Sequence, residues 1–356
     1  MKAVLAVAVS AAVAGAMVAT APAANAMSSG EAFTGLDGPR GLAIGNGGKM
    51  VVAQADGTIS KVIRNGPRRG KTVKIGKLGN TGLAPAVDID RHGNVYALTT
   101  TGPRRSAAKL YVFKPGKARH MVADIGRYQK RHPDPFDLEN NPGESNPYGV
   151  AALDSGGALV ADAAGNDLLR VRPNGRIYTV AKVKPRVVKS PDLGEEGPPP
   201  GTRMPAEAVI TSVTVGRDGA FYIGELRGFP GTVGTSQVWR IRPGARNAVC
   251  DPTHPRKGAC KRFADGLTSV VDLGAGPANS IYALELSKKS WLAMESPEPV
   301  PGAEIGALIR LSRDRMVRHE IAKGRLVIPG GVEVNRRGSV FVTTPMFGPG
   351  RILRVR

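Results

Sequence analysis

Short apolar runs separated by tight turns recur along the chain, and one copy near its middle is complete. Its apolar runs, 148–153, 159–161 and 168–171, have the length of β-strands, and glycine-containing turns separate them. Gly149 lies in the first run. Asp162 directly follows the second run and comes 13 positions after Gly149. The pattern predicts a strand–turn–strand unit with a small residue near its start and a polar residue at its end.

Five further copies share this arrangement. The small and polar residues of the six copies are Gly41 and Gln54, Ala86 and Thr99, Gly149 and Asp162, Ser212 and Glu225, Ser269 and Glu285, and Gly331 and Thr344. The fifth copy is aligned with a turn three residues longer than in the others. Two more strand-like runs follow each of the first five pairs, so the unit has four strands. Such a unit predicts an all-β protein, a six-bladed β-propeller.

The last copy has only three predicted strands, and the third of them ends at 352–355. The segment 31–36 is a spare strand near the N-terminus. We expect it to be the outer strand of the last blade. This pairing closes the ring and removes the open sheet edges that a linear array leaves.

The ring geometry predicts where polar side chains gather. The innermost strand of each blade lines a central channel, and the six polar residues lie near one mouth of it. Asp162, Glu225 and Glu285, with Asn146, are candidate oxygen ligands for a hard cation such as Ca²⁺. The alternative is a hydrated channel in which these carboxylates pair with arginines.

The N-terminal residues 1–26 have the features of a secretory signal. Lys2 is followed by an alanine-rich apolar stretch, and the sequence Ala24-Asn25-Ala26 matches a cleavage site. The mature chain, 27–356, is expected to be a single propeller domain that is secreted. No other segment is long and apolar enough to predict a membrane span.

Only two cysteines occur, Cys250 and Cys260, and both lie in the mature chain. Export makes oxidation of the pair the expected state, so we predict a disulfide. A zinc site is disfavoured because His254 is the only other soft donor nearby.

The charge is strongly positive, with a formal net charge of +21. Lys and Arg cluster in the predicted loops 64–74, 104–105, 127–131, 256–262 and 313–318. This charge predicts attraction to polyanions, including anionic cell-wall polymers, and association of the secreted protein with the wall. Specific nucleic-acid binding is disfavoured because aromatic residues are few, at 5%, and no nucleic-acid-binding motif is present.

Three long connections should emerge on the face that carries the polar ring. They are 126–146, 184–209 and 227–236. Long loops on one face are where a rigid scaffold usually binds its ligand. The candidate ligand-binding residues on this face are Glu139, Asn140, Asn146, Asn166, Arg227 and Phe229. Ordinary variation in loop length is the alternative.

Longer pieces of the chain resemble the ScyD/ScyE family of exported proteins. The matching sequences are GLDGPRGLAIG (35–45), ESNPYGVAA (144–152), ADAAGNDLLRV (161–171), TSVTVGRDGAFYIGELRGFPG (211–231) and GRILRV (350–355). The resemblance implies a six-bladed propeller. More distantly the architecture is similar to gluconolactonases, in which a channel-mouth cation held by carboxylates and Asn serves lactone hydrolysis. Asp162, Glu225, Asn146 and Asn166 are the residues that would occupy comparable places.

Two functions follow from these features. The favoured one is a secreted binding or scaffold protein, because no nucleophile motif or metal-spaced histidine pair is present and no general base stands out. The alternative is a Ca²⁺-dependent hydrolase or lyase acting on a small lactone or sugar-derived substrate. The expected partner is a small molecule, an anionic polymer or a protein, and the chain is expected to be a monomer.

Overall fold

The structure is a computed structural model that describes residues 32–79, 83–194, 197–312 and 318–356. The predicted signal peptide, 1–26, lies outside the described residues. So does residue 31 of the predicted closing strand.

Six sheets of four antiparallel strands follow one another along the chain, and the third is extended by a fifth, parallel strand; this confirms the all-β, six-bladed prediction. The first strand, β1 (Ala32–Asp37), belongs to the last blade. Blades 1 and 2 consist of β2 (Leu42–Ile44), β3 (Met50–Ala53), β4 (Thr58–Val62) and β5 (Thr72–Lys77), then β6 (Ala86–Ile89), β7 (Val95–Leu98), β8 (Lys109–Phe113) and β9 (His120–Asp124). Blade 3 follows the short helix α1 (Ile125–Gln129) and consists of β10 (Pro147–Ala152), β11 (Ala158–Asp162), β12 (Asp167–Val171) and β13 (Ile177–Val183).

The remaining blades follow an inserted hairpin, β14 (Arg186–Lys189) with β15 (Arg203–Ala206). Blade 4 consists of β16 (Ile210–Val215), β17 (Phe221–Glu225), β18 (Ser236–Ile241) and β20 (Cys260–Leu267), with the extra strand β19 (Ala248–Cys250) before β20. Blade 5 consists of β21 (Val270–Ala275), β22 (Ile281–Glu285), β23 (Ala307–Leu311) and β24 (Arg318–Ile321), and helix α2 (Trp291–Met294) follows β22. Blade 6 consists of β25 (Gly331–Val334), β26 (Val340–Thr344), β27 (Pro349–Arg354) and β1.

The N-terminal strand closes the ring, as predicted. Strand β1 pairs antiparallel with β27, and Phe33 lies opposite Ile352. Phe33 and Leu36 are buried in a cluster that includes Phe341 of blade 6 and Met50 of blade 1. The strand therefore joins the first and last blades by main-chain pairing and by apolar packing.

The register of the blades corrects the alignment of the fifth copy. Gly149 pairs with Ala161, the residue before Asp162. In the same register Asp272, and not Ser269, pairs with Leu284, the residue before Glu285. The predicted longer turn was wrong, because the spacing from Asp272 to Glu285 is again 13 residues. A carboxylate therefore occupies a position that is small in the other five blades.

Small residues at this position are required where the inner strands of neighbouring blades approach. A Cβ atom on Gly149 would lie 2.8 Å from the Thr211 carbonyl oxygen, and a Cβ atom on Gly41 would lie 2.3 Å from the Pro85 carbonyl oxygen. Both distances are too short for a side chain without movement of the backbone. The crowding explains why the repeat keeps glycine here in blades 1 and 3.

The alternating strand directions give the ring two different faces. We call one the turn face; it carries the turns between first and second strands and the loops between third and fourth strands. Its segments are 45–49, 63–71, 90–94, 114–119, 153–157, 172–176, 216–220, 242–259, 276–280 and 335–339. The opposite, loop face carries the long connections, at 99–108, 125–146, 184–209, 226–235, 286–306 and 345–348.

The predicted disulfide between Cys250 and Cys260 is present. It joins the end of β19 to the start of β20, and β19 pairs in parallel with β13 of blade 3. The bond thus fixes a turn-face loop of blade 4 against the neighbouring blade. No helix among the described residues is long and apolar enough to cross a membrane.

Replacing both cysteines with serine is expected to lower the free energy of unfolding by about 2–3 kcal/mol, because the short cross-linked loop regains entropy in the unfolded chain. Denaturant titration of the oxidised wild type and the double variant measures this loss. The reduced wild type is the control, and it should behave like the variant. Equal stability of all three would contradict the expectation.

Candidate functional site

The six predicted ring residues lie on the loop-face side of their blades, and each contacts a neighbouring connection. Gln54 accepts from the Asp37 amide, and the Thr99 and Thr344 hydroxyls donate to the carbonyls of Ser106 and Val327. Asp162, Glu225 and Glu285 also bind residues of the loop face. The ring positions therefore fix the loops in place. Thr99, Asp162, Glu225 and Thr344 are fully or almost fully buried.

Asp162 is surrounded by protein donors. Its carboxylate accepts from the Ser145 hydroxyl at 2.6 Å, the Asn146 amide at 2.7 Å, the Gly165 amide at 3.2 Å and the Gln129 side chain at 3.3 Å. Burial raises the pKa of Asp162, and these hydrogen bonds oppose the rise. Asp162 and the backbone of Asn146 thus hold the entry to β10.

A second carboxyl group, Asp167, lies close to Asp162 in the same buried region. Its Oδ1 accepts from the Gln129 amide nitrogen at 2.9 Å. Burial, and then the negative charge of Asp162, raise the pKa of Asp167 well above its usual range.

Glu225 forms a buried ion pair with Arg227. Both side chains are at most 1% exposed. Trp239 donates its ring N–H to Glu225 at 2.6 Å, and Arg227 also donates to the carbonyls of Ala206 and Glu207 at 3.2 Å. Arg227 has a φ of 71°, which is a left-handed conformation. The ion pair ties the loop after β17 to the inserted hairpin.

Glu285 lies in a third, separate network. It accepts from the Thr268 amide at 2.8 Å. Burial, together with the charge of Glu320, raises the pKa of Glu285 to about 7, against the opposing effect of Lys288 and Arg318. Across the described ranges there is no group of three or more His, Cys, Asp or Glu side chains placed to hold a metal ion. The Ca²⁺ site stays a prediction.

Asn166 connects two carboxylates on the loop face that the sequence did not suggest. Its amide nitrogen donates to Asp134 at 3.0 Å and to Glu207 at 3.2 Å, and its oxygen accepts from the Val209 amide at 2.7 Å. Asp134, Asn166 and Glu207 are all at least nine-tenths buried. Burial raises the pKa of both carboxyl groups.

The other predicted residues of this face differ in exposure. Glu139 and Asn140 are exposed, and Phe229 is half-buried before a cis Pro230. Loss of hydration, and then the charges of Glu207, Glu144 and Asp137, raise the pKa of Glu139 to about 7. Glu139 and Glu207 are therefore close enough to repel each other.

The three long connections of the loop face contact one another. Glu207 accepts from the Leu138 amide at 2.7 Å, and Thr232 donates to the Lys189 carbonyl at 2.7 Å. Each connection also presents an apolar side chain to solvent: Leu138 is 44% exposed, Val187 54% and Val233 55%. The connected loops of this face therefore carry both exposed apolar groups and carboxylates.

The central channel holds a cavity of about 500 Å³ that the sequence analysis did not predict as a site. Towards the loop face its lining residues are buried, and Arg40 lies over the Tyr148 ring at 3.9 Å and donates to the carbonyls of Ala84 and Tyr148. Towards the turn face its lining includes the exposed Arg217 and Arg336. The cavity is closed at the first end and opens on the turn face.

Three carboxyl groups line this cavity, and they are Asp88, Asp272 and Glu333. Asp88 accepts from the Ala152 amide and Asp272 from the Val332 amide, each at 2.7 Å, so both side chains reach the inner strand of another blade. Burial raises the pKa of Asp88 to about 7 and that of Asp272 to about 6. Burial, and then the charges of the other two carboxylates, raise the pKa of Glu333 well above its usual range.

None of the residues predicted as ligands from the sequence lines the cavity. The signal for Asp272 was present, because it precedes Glu285 by the same 13 residues that separate the anchors of the other copies. Asp88 and Glu333 each lie two residues after the small residue of their strand, a position occupied by Ala43 in blade 1 and Ala151 in blade 3. The observed register changes the alignment only of Asp272; Asp88 and Glu333 keep the positions that the repeat already gave them.

The chain was compared with protein families, curated proteins and solved structures, and only solved structures match it. No family model and no curated protein matches the chain. Among solved structures, a putative glucose dehydrogenase of Thermus thermophilus matches at 16% identity and a TM-score of 0.54, covering 91% of this chain and 99% of its own. A gluconolactonase of Xanthomonas campestris matches at 11% identity and 0.54, covering 91% and 88%. Virginiamycin B lyase of Staphylococcus aureus matches at 15% identity and 0.50, covering 92% and 99%.

The chain is a six-bladed β-propeller. Its solved neighbours share this propeller architecture at identities of 11–16%. At such identities the likeness concerns the fold alone. The resemblance to the ScyD/ScyE family finds no matching family model.

Proposed function

We propose that this propeller is a secreted binding protein that uses its loop face to hold a partner protein. One observation carries the choice of binding over metal-dependent catalysis. Asp162 is surrounded by four protein donors, and Glu225 is paired with a buried arginine. A catalytic cation needs an open coordination position and a base beside it, and neither group offers one.

The composition of the loop face supports a protein partner. Leu138, Val187 and Val233 are exposed apolar side chains on three connections that contact one another. Exposed apolar groups rimmed by polar ones are typical of interaction sites. The exposed Glu139 adds a carboxyl group beside Leu138, so the favoured partner surface combines apolar and basic side chains.

Export fits the same proposal. The sequence 1–26 has the features of a secretory signal, and the Cys250–Cys260 disulfide is consistent with an extracellular protein. Membership of the ScyD/ScyE family is part of this proposal and rests on the sequence resemblance.

The alternative is a Ca²⁺-dependent hydrolase or lyase of the gluconolactonase kind. Glu139 and Glu285 favour it, because each lies on the loop-face side with a pKa raised to about 7, which suits general acid–base chemistry at neutral pH. If the protein is a binding protein, Glu139 belongs to the partner surface and Glu285 supports the start of β21.

A melting experiment separates the two functions. After EDTA treatment, adding Ca²⁺ is expected to leave the melting midpoint unchanged, because the part of the chain that the structure describes contains no group of three or more His, Cys, Asp or Glu side chains placed to hold a metal ion. A bound ion at about 100 times its dissociation constant would stabilise the protein by about 2.7 kcal/mol. A Ca²⁺-dependent rise that is lost in Glu285→Gln, together with turnover of lactones, would favour the enzyme.

The loop-face surface is tested separately by cross-linking in culture medium. A triple Leu138→Ser, Val187→Ser and Val233→Ser variant is expected to lose the cross-linked partner while keeping the wild-type melting midpoint. The matched control replaces Val73, Met121 and Val249, which are exposed apolar residues on outer strands. Equal loss in both triple variants would count against the loop face.

A further inference from the structure

The turn face, opposite to the proposed partner surface, concentrates the positive charge of the protein. Exposed basic side chains occur in the turn-face segments of five blades: Arg68, Lys117, Arg176, Arg246 and Arg337. In blade 5 the described turn, 276–280, is uncharged. The positive charge thus surrounds most of the ring, and the mouth of the cavity lies at the centre of that ring.

The acidic residues of the described turn-face segments are already engaged. Asp218 pairs with Arg240 at 2.9 Å, and Asp251 pairs with Lys184 at 2.9 Å. Asp90 and Asp154 accept from turn amides, at 2.9 Å from His92 and at 3.3 Å from Arg91. The eighteen Lys and Arg residues of the same segments outnumber these four carboxylates, so the face stays strongly positive.

One pair of arginines on this face is held in place without a carboxylate. The guanidinium groups of Arg172 and Arg246 lie 5.6 Å and 4.3 Å from the centre of the Tyr178 ring. Both arginines are exposed, and neither has an acidic partner among the described residues. The ring restricts both side chains, so less conformational freedom is lost when an anion binds them.

The disulfide loop positions this pair. Arg246 precedes β19, and the Asn247 amide donates to the Thr179 carbonyl at 3.1 Å, one residue after Tyr178. Cys250 at the end of β19 is bonded to Cys260. The cross-link therefore fixes a segment of blade 4 against blade 3 and brings the two arginines to one ring.

We propose that the turn face binds a linear anionic polymer that carries a phosphate group in each repeat. Arginine predominates at the described positions, and its planar fork suits phosphate oxygens. The six turns around the cavity present no large exposed apolar side chain. A flat lipid surface usually engages such groups in addition to charge, so a polymer fits this face better than a bilayer.

The cavity keeps the polymer on the surface of the ring. Asp88, Asp272 and Glu333 line its interior, and any of them that is ionised repels an entering phosphate. Arg217 and Arg336 lie at the mouth, where Arg217 donates to the Arg336 carbonyl at 3.1 Å. The polymer is expected to run around the turn face and across the Arg172–Tyr178–Arg246 group.

Binding of inorganic polyphosphate to the whole secreted protein tests the proposal. Arg172→Gln with Arg246→Gln is expected to weaken binding about tenfold or more and to reduce the salt dependence of log Kd by about 2. The matched control is Arg104→Gln with Arg105→Gln, which removes the same charge from exposed positions on the loop face. That control is expected to change Kd less than about twofold.

Three results would overturn the proposal. Equal weakening by both double variants would show that net charge alone attracts the polymer. Stronger binding to vesicles with anionic lipid than to polyphosphate would identify a membrane-docking face. The third result is an unchanged affinity for polyphosphate in both the Cys250→Ser, Cys260→Ser variant and the Arg172→Gln, Arg246→Gln variant. It would show that the arginine pair is not part of the binding site. None of these results bears on the loop-face partner.

Discussion

Glu225→Gln is expected to lower the free energy of unfolding by about 3–5 kcal/mol, because it leaves the guanidinium group of Arg227 buried without a counter-charge. Arg227 is 1% exposed, so water cannot replace the carboxylate. The neutral Gln retains one oxygen that accepts from the Trp239 ring N–H. Its amide nitrogen replaces the oxygen that accepts from Arg227 and from the Gln237 amide, so these two hydrogen bonds are lost together with the charge. Denaturant unfolding measures the loss.

The opposite single change tests the same pair. Arg227→Met leaves the Glu225 carboxylate buried beside Trp239, and a loss of similar size is expected. The double variant Glu225→Gln with Arg227→Met removes both charges and should lose clearly less than the two single losses added together. Additive losses would show that each side chain acts through separate contacts and that the ion pair contributes nothing of its own.

The sequence predicted the ring because the repeat is a backbone property. Gly41 and Gly149 lie where inner strands crowd, so chain packing keeps the residue small and makes the copies recognisable. The closing strand was also predictable, since the last copy lacked a strand and the apolar residues Phe33 and Leu36 lay near the N-terminus. Both inferences depend on pattern and need no knowledge of side-chain direction.

The candidate site was harder, because side-chain direction decides it. Asp162 and Glu225 were placed at the predicted polar ring, but whether they face solvent or a loop depends on partners far away in sequence, such as Gln129 for Asp162. The cavity carboxylates were missed for another reason. The alignment placed Ser269 where the structure has Asp272, because a small residue was expected there. The constant spacing of 13 residues, which favours Asp272, was given less weight.

Of the three ring carboxylates, Glu225 pairs with an arginine, as the alternative interpretation of the ring predicted. Asp162 and Glu285 have other partners. Arg227 lies two residues after Glu225 and can fold back on it, a short-range relation that the sequence contains. Asp162 instead receives backbone and side-chain donors from 145–146 and from α1, and Glu285 receives a backbone amide from Thr268. Donors of this kind cannot be predicted from the spacing of charged residues.

The stability of the protein is expected to fall as the pH rises from about 4 to about 7, because the cavity carboxyl groups hold protons when folded. The pKa of Asp88 is raised to about 7 and that of Asp272 to about 6, and the pKa of Glu333 is raised as well. Unfolding exposes them to water, where carboxyl groups titrate near 4. A raised folded pKa stabilises the protein fully below the unfolded pKa, and this stabilisation is lost as the pH rises through the folded value.

Replacing the three cavity carboxyl groups with amides tests this origin. Asp88→Asn, Asp272→Asn and Glu333→Gln cannot acquire charge, and each keeps one oxygen that can accept from a backbone amide. Asp88 and Asp272 each lose the second of their two backbone hydrogen bonds. Each replacement is expected to remove up to about 1.4 kcal/mol per pH unit of the slope between pH 4 and 7. The triple variant should therefore be more stable than the wild type at pH 8 and similar to it near pH 4.

An exposed pair, Asp192→Asn with Glu298→Gln, is the control and should leave the slope unchanged. Melting curves at intervals of half a pH unit measure both variants against the wild type. If the triple variant kept the wild-type slope, the three groups would titrate as hydrated carboxylates, and the cavity would hold enough water to screen them from one another. A flattened slope would instead mean that the three groups are poorly hydrated behind the closed end at Arg40 and Tyr148, since loss of hydration is the largest cause of the raised pKa of all three.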